Sequence, residues 1–438
     1  MNRNYLQWLY GQLPELVGKG VITQQNAEHI KQYYEGFKAT PKRSLALIIF
    51  GTLGTFLIGL GVILILAHNW ELFSRSLRTV ISLIPVTSGI ILCGWVLWKK
   101  DNMMALKESA ATFLSLMVGA SLALVCQTYH ISGDSADFIM TWMLLIVPLV
   151  YLMDATVPAV IYLAGIASWT YHFWGEPLQA FLYWPLAAVV VPHFVMSLRK
   201  DMHAVRSSLV ALVAALSVFL VSFVMLSHEN LSGSWIIYHS GIFGIYFLLG
   251  NLDFKDSSKR WQLPFLYIGR IGILIMSFVL TYRTLWDFDI IKIGNLSDPA
   301  LWLNSILLLG IVGIYAFLFV KNQKLLEREE MLYGAMPLVS ILAYITNFFI
   351  GPLVAVPIIL FNIYILGFSL SNIVNGMKQD RLDKLNAGIL ILAILIVLRF
   401  FDIDIGFVFK GLVFIALGIS FLVVNVMMLR RREVKDEK

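Results

Sequence analysis

The sequence predicts an all-α, polytopic integral membrane protein with about fourteen transmembrane helices and a short cytoplasmic helical hairpin at its N-terminus. Three observations predict it. The 438 residues are 59% hydrophobic and only 14% charged, with a mean hydropathy of +0.79, whereas soluble domains carry about a quarter charged residues. Long apolar runs alternate with short polar breaks, and a run of ~20 residues crosses the ~30 Å hydrocarbon layer. Lysine and arginine collect in every second break, a sorting that only a chain threaded through a bilayer requires.

In chain order, residues 3–38 read as a helical hairpin. Leu6, Leu9, Leu13 and Leu16 recur at helical spacing. Gly18 and Gly20 end the first helix. Thr23 caps the second, which carries Ala27, Ile30 and Tyr34 along one face, and Pro41 closes the segment. A hairpin this short buries too little surface to stand alone, so residues 1–44 are expected to pack on the membrane face, on a second copy of the chain or on a protein partner. The apolar runs follow at 45–67, 79–98, 109–127, 138–153, 155–173, 178–196, 206–227, 234–250, 263–282, 300–320, 331–350, 352–375, 385–401 and 407–429. They group into an N-terminal membrane domain over 45–196 and a C-terminal one over 197–429, with a charged tail over 430–438.

With the N-terminus inside, twenty-six of the 33 lysines and arginines fall on the inner side and four, Arg75, Arg78, Arg283 and Lys292, fall outside. The remaining three, Arg270, Arg399 and Lys410, lie within or at the ends of spans. Cations are retained in the cytoplasm, so both termini are expected inside a bacterial inner membrane. The basic inner loops then face anionic headgroups of the lipid bilayer, and a nucleic-acid partner is not needed to explain the net charge of +6.

Several function classes lose support. No apolar core lies within the first 44 residues, where a secretory signal would place one. Cys93 and Cys126 are the only cysteines and fall near opposite ends of neighbouring spans, so no disulfide is expected. No paired-cysteine or clustered-histidine spacing suggests a metal, no P-loop pattern suggests direct use of ATP, and no cofactor is expected. The longest outside loop, about 283–299, is too small for an external catalytic domain.

A set of ordered motifs carries a family resemblance. Leu16-Val17-x-Lys19-Gly20-x-Ile22-Thr23 is followed by Ala27-Glu28-x-Ile30 and Tyr33-Tyr34. A glycine-rich first span, Gly51-x-x-Gly54 to Gly59-Leu60-Gly61, ends at Ala67-His68-Asn69-Trp70. Then come Gly119-Ala120, Ala123-Leu124, Gln127-Thr128-Tyr129-His130-x-Ser132-Gly133-Asp134, Trp142 and Pro148. Over about residues 5–170 the chain resembles the bacterial membrane proteins grouped as domain-of-unknown-function family 2157, with a fused companion membrane domain behind. The resemblance implies an inner-membrane protein and supplies no activity or catalytic residue.

The same topology gathers a polar and aromatic set at the outer face. Asn69 and Trp70 close the first span, Gln127, Tyr129 and His130 close the third, and Asp134 and Trp142 open the fourth. His172 closes the fifth, in a triplet Thr170-Tyr171-His172 that repeats Thr128-Tyr129-His130. Two readings stay open. Tryptophan and tyrosine collect at membrane interfaces without any ligand. Alternatively the set lines a substrate-binding vestibule, where the rings stack on a ligand, the amides bond its polar edges, and His130 with Asp134 carries a proton. A metal held by His68, His130 and His172 lacks any supporting spacing, and a hydrolase would need an activated nucleophile, for which Ser132 and Thr128 offer no motif.

Charges and breakers inside spans add three expectations. Arg270 is costly at its depth and should snorkel to the inner face or pair with a carboxylate or substrate anion. Asp154 should cap the fifth span, Arg399 should pair locally with Asp402 or Asp404, and Asn304, Asn362 and Asn425 should bond between helices. Pro85, Pro148, Pro158, Pro185, Pro192, Pro337 and Pro357 should punctuate spans, as broken helices do in transporters. The function expected first is a transporter or flippase with a polar, aromatic site near the outer leaflet. The alternatives are a non-catalytic scaffold or sensor acting through residues 1–44, and an intramembrane enzyme at the outer leaflet.

Overall fold

The computed structural model describes residues 12–35, 70–99, 103–200, 204–226, 233–252, 264–286, 297–350 and 355–402, with isolated positions between 408 and 422. The first predicted span (45–67), almost all of the last (407–429), Gly51 to Gly61, His68, Asn69, Asp404, Lys410, Asn425 and the charged tail lie outside the described residues. All regular structure among the described residues is helical. The chain divides into two compact units, Met1–Val80 and Ile81–Lys438.

In the first unit, helix α1 (12–18) and helix α2 (Gln24–Glu35) form the hairpin. The turn is made by Gly20, with φ +70°, and by Val21 N–H donating to the Leu16 carbonyl at 3.0 Å. Thr23 Oγ1 accepts Asn26 N–H at 3.2 Å, capping α2. Leu13 and Ala27 are buried.

The helices that follow are α3 (Arg75–Lys99), α4 (Met104–Tyr129), α5 (Ser135–Leu152), α6 (Thr156–Thr170), the three short pieces α7 (Pro177–Ala180), α8 (Tyr183–Ala188) and α9 (Val191–Lys200), and α10 (Val205–Met225). Then come α11 (Ser234–Leu252), α12 (Pro264–Val279), α13 (Pro299–Asn322), α14 (Arg328–Ile350), α15 (Ala355–Lys378) and α16 (Leu382–Asp402). Each of the twelve apolar runs predicted between 79 and 401 therefore contains helix among its described residues. Among the described residues seven stretches are long and apolar enough to cross a membrane: α3, α4, α5, Leu178–Lys200, α10, α13 and Val356–Lys378. The α12 helix is apolar but shorter, with 16 residues.

One cluster of buried side chains joins α3 to α6, the broken stretch and α10, and a second joins α10 to α15. Helix α11 is the hub of the second and touches α10, α12, α13 and α14. It is buried nearly all round, as a helix that is apolar on every face must be. Close approach depends on glycine at specific points. A Cβ on Gly269 would lie 2.4 Å from the Phe247 backbone nitrogen, so α12 rests directly on the α11 backbone. A Cβ on Gly119 would lie 2.5 Å from the Trp142 ring, which docks in the notch.

The prolines act by position. Pro158 and Pro357 occupy first turns, where the missing donor is not needed. Pro85, Pro148 and Pro337 sit inside continuous helices. Pro185 and Pro192 separate the pieces of the 177–200 stretch. An unbroken helix would need N–H donors at 185 and 192 for the Phe181 and Ala188 carbonyls, and proline has none. Instead Trp184 N–H reaches Phe181 at 3.1 Å, and Val189 and Val190 form tight bonds to Leu186 and Ala187 at 3.2 and 3.1 Å.

Candidate functional site

The C-terminal ends of α4 and α6 and the N-terminal end of α5 come together at one end of the second unit. Thr128 and Thr170 are buried and bond back to the Leu124 and Ile166 carbonyls at 2.7 and 2.8 Å. Their neighbours Tyr129 and Tyr171 are exposed, and both triplets close a helix. Gln127 and His130 are exposed, and His130 takes the left-handed conformation (φ 48°) that stops α4.

Other members of the predicted set are engaged in the fold. Asp134 caps α5, its carboxylate accepting Asp137 N–H at 2.8 Å. Trp142 donates its indole N–H to the Ser115 carbonyl at 2.8 Å, locking α5 onto α4. His172 Nδ1 faces the Ser168 carbonyl at 3.2 Å and its Nε2 lies 2.7 Å from Ser135 Oγ. A carbonyl only accepts, so in the neutral ring Nδ1 carries the hydrogen and Ser135 donates to Nε2. This bond ties the end of α6 to the start of α5. Trp70 belongs to the first unit, where it lies buried in a 3-10 turn, Trp70–Leu72.

The opposite, basic end holds a network that sequence reasoning missed. Glu108 of α4 accepts Thr156 N–H at 2.9 Å through each carboxylate oxygen and Val157 N–H at 3.1 Å. An acid at a helix N-terminus satisfies free donors and complements the helix dipole. Arg206 of α10 donates to Glu108 Oε1 and Thr156 Oγ1, both at 2.8 Å, and also to the Asp154 carbonyl. The cap of α6 is therefore Glu108 and not Asp154, whose carboxylate takes Lys200 at 2.7 Å and faces His193 Nδ1 at 3.8 Å. Asp154 sits at φ 48° in the α5–α6 turn, which points its side chain away from the helix it precedes. The legible signal was a lone acid near the start of one span and a lone arginine at the start of another on the same predicted side.

Arg270 also finds a carboxylate. It lies 3.6 Å from Glu330 and over the rings of Tyr333 and Phe247, at 5.5 and 5.9 Å. Neighbouring Glu329 holds Lys384 at 2.8 Å, so the start of α14 pins both α12 and α16. The expected pairing of Arg399 with Asp402 or Asp404 lies outside the described side chains. Arg399 donates to Thr281 Oγ1 at 2.8 Å and lies over Tyr282, tying α16 to the end of α12. Asn304 bonds between helices, to the Met225 carbonyl at 3.1 Å, whereas Asn362 bonds back to Ile358 on its own helix.

The broken stretch α7–α9 connects the two ends. It begins five residues beyond His172 and ends at Lys200 beside Asp154. Tyrosines from neighbouring helices reach its irregular backbone. Tyr162 of α6 donates to the Leu186 carbonyl at 3.0 Å, and Tyr151 of α5 donates to the Val189 carbonyl. Tyr183 is buried and shares a 2.6 Å hydrogen bond with Ser217 of α10. Two buried ring nitrogens along it, Trp184 Nε1 and His193 Nε2, have no hydrogen-bond partner among the described residues. Such orphan groups are uncommon in folded proteins.

Long apolar helices with polar groups satisfied by one another define an α-helical, polytopic membrane protein. Residues 14–159, about a third of the chain, match the model of a family described as "Predicted membrane protein (DUF2157)", the family its N-terminal motifs resemble. No curated protein and no solved structure matches the chain.

Proposed function

We propose that the protein is a transporter or flippase whose route follows the broken stretch α7–α9. The break supports this reading. Irregular backbone at membrane depth is tolerated where it is buried in protein or lines an aqueous cavity, and transporters build sites and hinges from such segments. Here the interruptions are encoded by Pro185 and Pro192, with Tyr162 and Tyr151 on the adjoining carbonyls. In this reading Gln127, Tyr129, His130 and His172 form the outer mouth, and Asp134 and Trp142 shape it by fixing α5. The cation sorting supports an inner membrane with both termini in the cytosol.

The test is metabolite and lipid profiling of cells lacking the gene, complemented with the wild type or with Tyr183→Phe. The reading expects one class of solute or lipid-linked compound to change sides or accumulate, and the Tyr183→Phe strain to resemble the deletion with normal membrane levels of protein. Unchanged profiles, together with loss of a co-purifying protein on deleting residues 1–44, would favour the scaffold instead.

A further inference from the structure

Among the described residues the most deeply buried histidine lies outside the vestibule reading. His239 lies in α11, 1% exposed, and its ring closes a chain of polar contacts. Nδ1 is 2.8 Å from the Trp235 carbonyl. Nε2 is 2.8 Å from Ser222 Oγ on α10. Ser222 Oγ is in turn 2.5 Å from the Phe219 carbonyl.

Counting hydrogens along this chain decides its protonation chemistry. Both ends are carbonyls and can only accept. The Trp235 contact therefore takes the Nδ1 hydrogen, and the Phe219 contact takes the single Ser222 hydroxyl hydrogen. The central Nε2–Oγ contact is then a hydrogen bond only when Nε2 also carries a hydrogen, which makes the ring an imidazolium. A neutral ring leaves either Nε2 against Oγ or Oγ against the Phe219 carbonyl with no hydrogen between two acceptors.

The surroundings are aromatic. The centroids of Phe223, Phe219, Tyr238 and Trp235 lie 4.7, 5.4, 5.7 and 6.2 Å from the imidazole. The titratable neighbours are Tyr238 on the same helix and Tyr183 of α8 beyond it. No carboxylate, lysine or arginine acts on the ring among the described residues. Burying an uncompensated charge in a helix bundle is costly, so the completed hydrogen bonds work against that cost, and occupancy can respond to the proton supply.

We propose that His239, with Ser222, forms a proton-binding site inside the α10–α11 pair. As the seat of a coupling ion it rests on the transport reading; as a proton site it does not. The ring itself provides the measurement: nitrogen NMR of the full-length protein, labelled at histidine and held in lipid nanodiscs, across about pH 8 to pH 4. His239→Gln assigns the signal, and if that variant does not fold, the two ring signals displaced in Ser222→Ala assign it instead. The expected result is uptake of a second ring proton with the fold intact. In Ser222→Ala the uptake moves to lower pH by about one unit or more, about tenfold weaker binding, because the acceptor of the Nε2 hydrogen is gone. A ring that stays a single neutral tautomer across this range, or an uptake unmoved by Ser222→Ala, would overturn the proposal.

Discussion

At the scale of single residues, burial decides what a charge contributes. Glu108 and Arg381 both sit in 2.5–2.8 Å ion pairs. Arg381 and Asp383 are 52% and 64% exposed, so solvent screens them and their pair contributes ~0–1 kcal/mol. The Arg381 guanidinium, through its hydrogen bonds, still holds the Asp383 carboxyl below the usual carboxylate range. Glu108 and Arg206 are 18% and 28% exposed, and Glu108 alone answers the first donors of α6. Glu108→Ala should lower stability by about 3 kcal/mol, the low end for a broken buried pair, because Arg206 keeps Thr156 and the Asp154 carbonyl. Thermal unfolding in detergent checks this. Adding Arg206→Ala should cost less than the sum of the two single changes, and strict additivity would remove the pair from the account.

These residues also mark the limits of reading the chain alone. Polar groups with partners close in sequence were legible: the Thr23 cap, the Gly20 turn and the two helix-closing threonine triplets follow from local rules. Partners 48 to 98 residues apart, as around Glu108, depend on which helices touch. Topology gives only the side of the membrane, not the neighbour. Asp154 was read as a cap because it precedes a helix, yet its positive φ turns it towards Lys200 instead. The bond from Arg399 to Thr281, 118 residues away on another helix, is of the same long-range kind.

At the scale of elements, two devices place the helices. Glycine sets contact between α11 and α12, and Gly269→Val should push them apart. The Cβ would meet backbone, which cannot rotate away, so a loss of at least the ~1–3 kcal/mol typical of overpacking is expected, read as lower yield and melting temperature of the purified protein. The sequence drew attention to glycines in the first span, whereas the contact that the structure resolves depends on one with no motif around it. Proline sets the breaks in α7–α9. Pro185→Ala restores a donor and the favourable intrinsic propensity of alanine, worth up to ~3 kcal/mol in a helix interior. That substitution should raise helix content and thermal stability while reducing transport. A variant that is more stable and equally active would show that the break has no role in function. The run 178–196 reads as one span, and Leu178–Lys200 is long and apolar enough to cross once; Pro185 and Pro192, expected to punctuate it, lie just after its two breaks.

At the scale of the whole molecule, the apolar runs specified the all-α membrane architecture, because a bilayer imposes its thickness and its demand for internal hydrogen bonding on every segment. The packing around the broken stretch was not legible, since it depends on which faces of α5, α6 and α10 touch it. Lipid or water at the two breaks is the physical question on which transport turns. The direct measurement is thiol labelling in sealed vesicles of both orientations, with Cys93 and Cys126 replaced and one cysteine placed at Leu182 or Val189. Transport along α7–α9 predicts that both positions react with a membrane-impermeant maleimide, each from at least one side. Reaction only with a lipid-soluble reagent, at both positions and from both sides, would place the breaks in lipid and contradict the account.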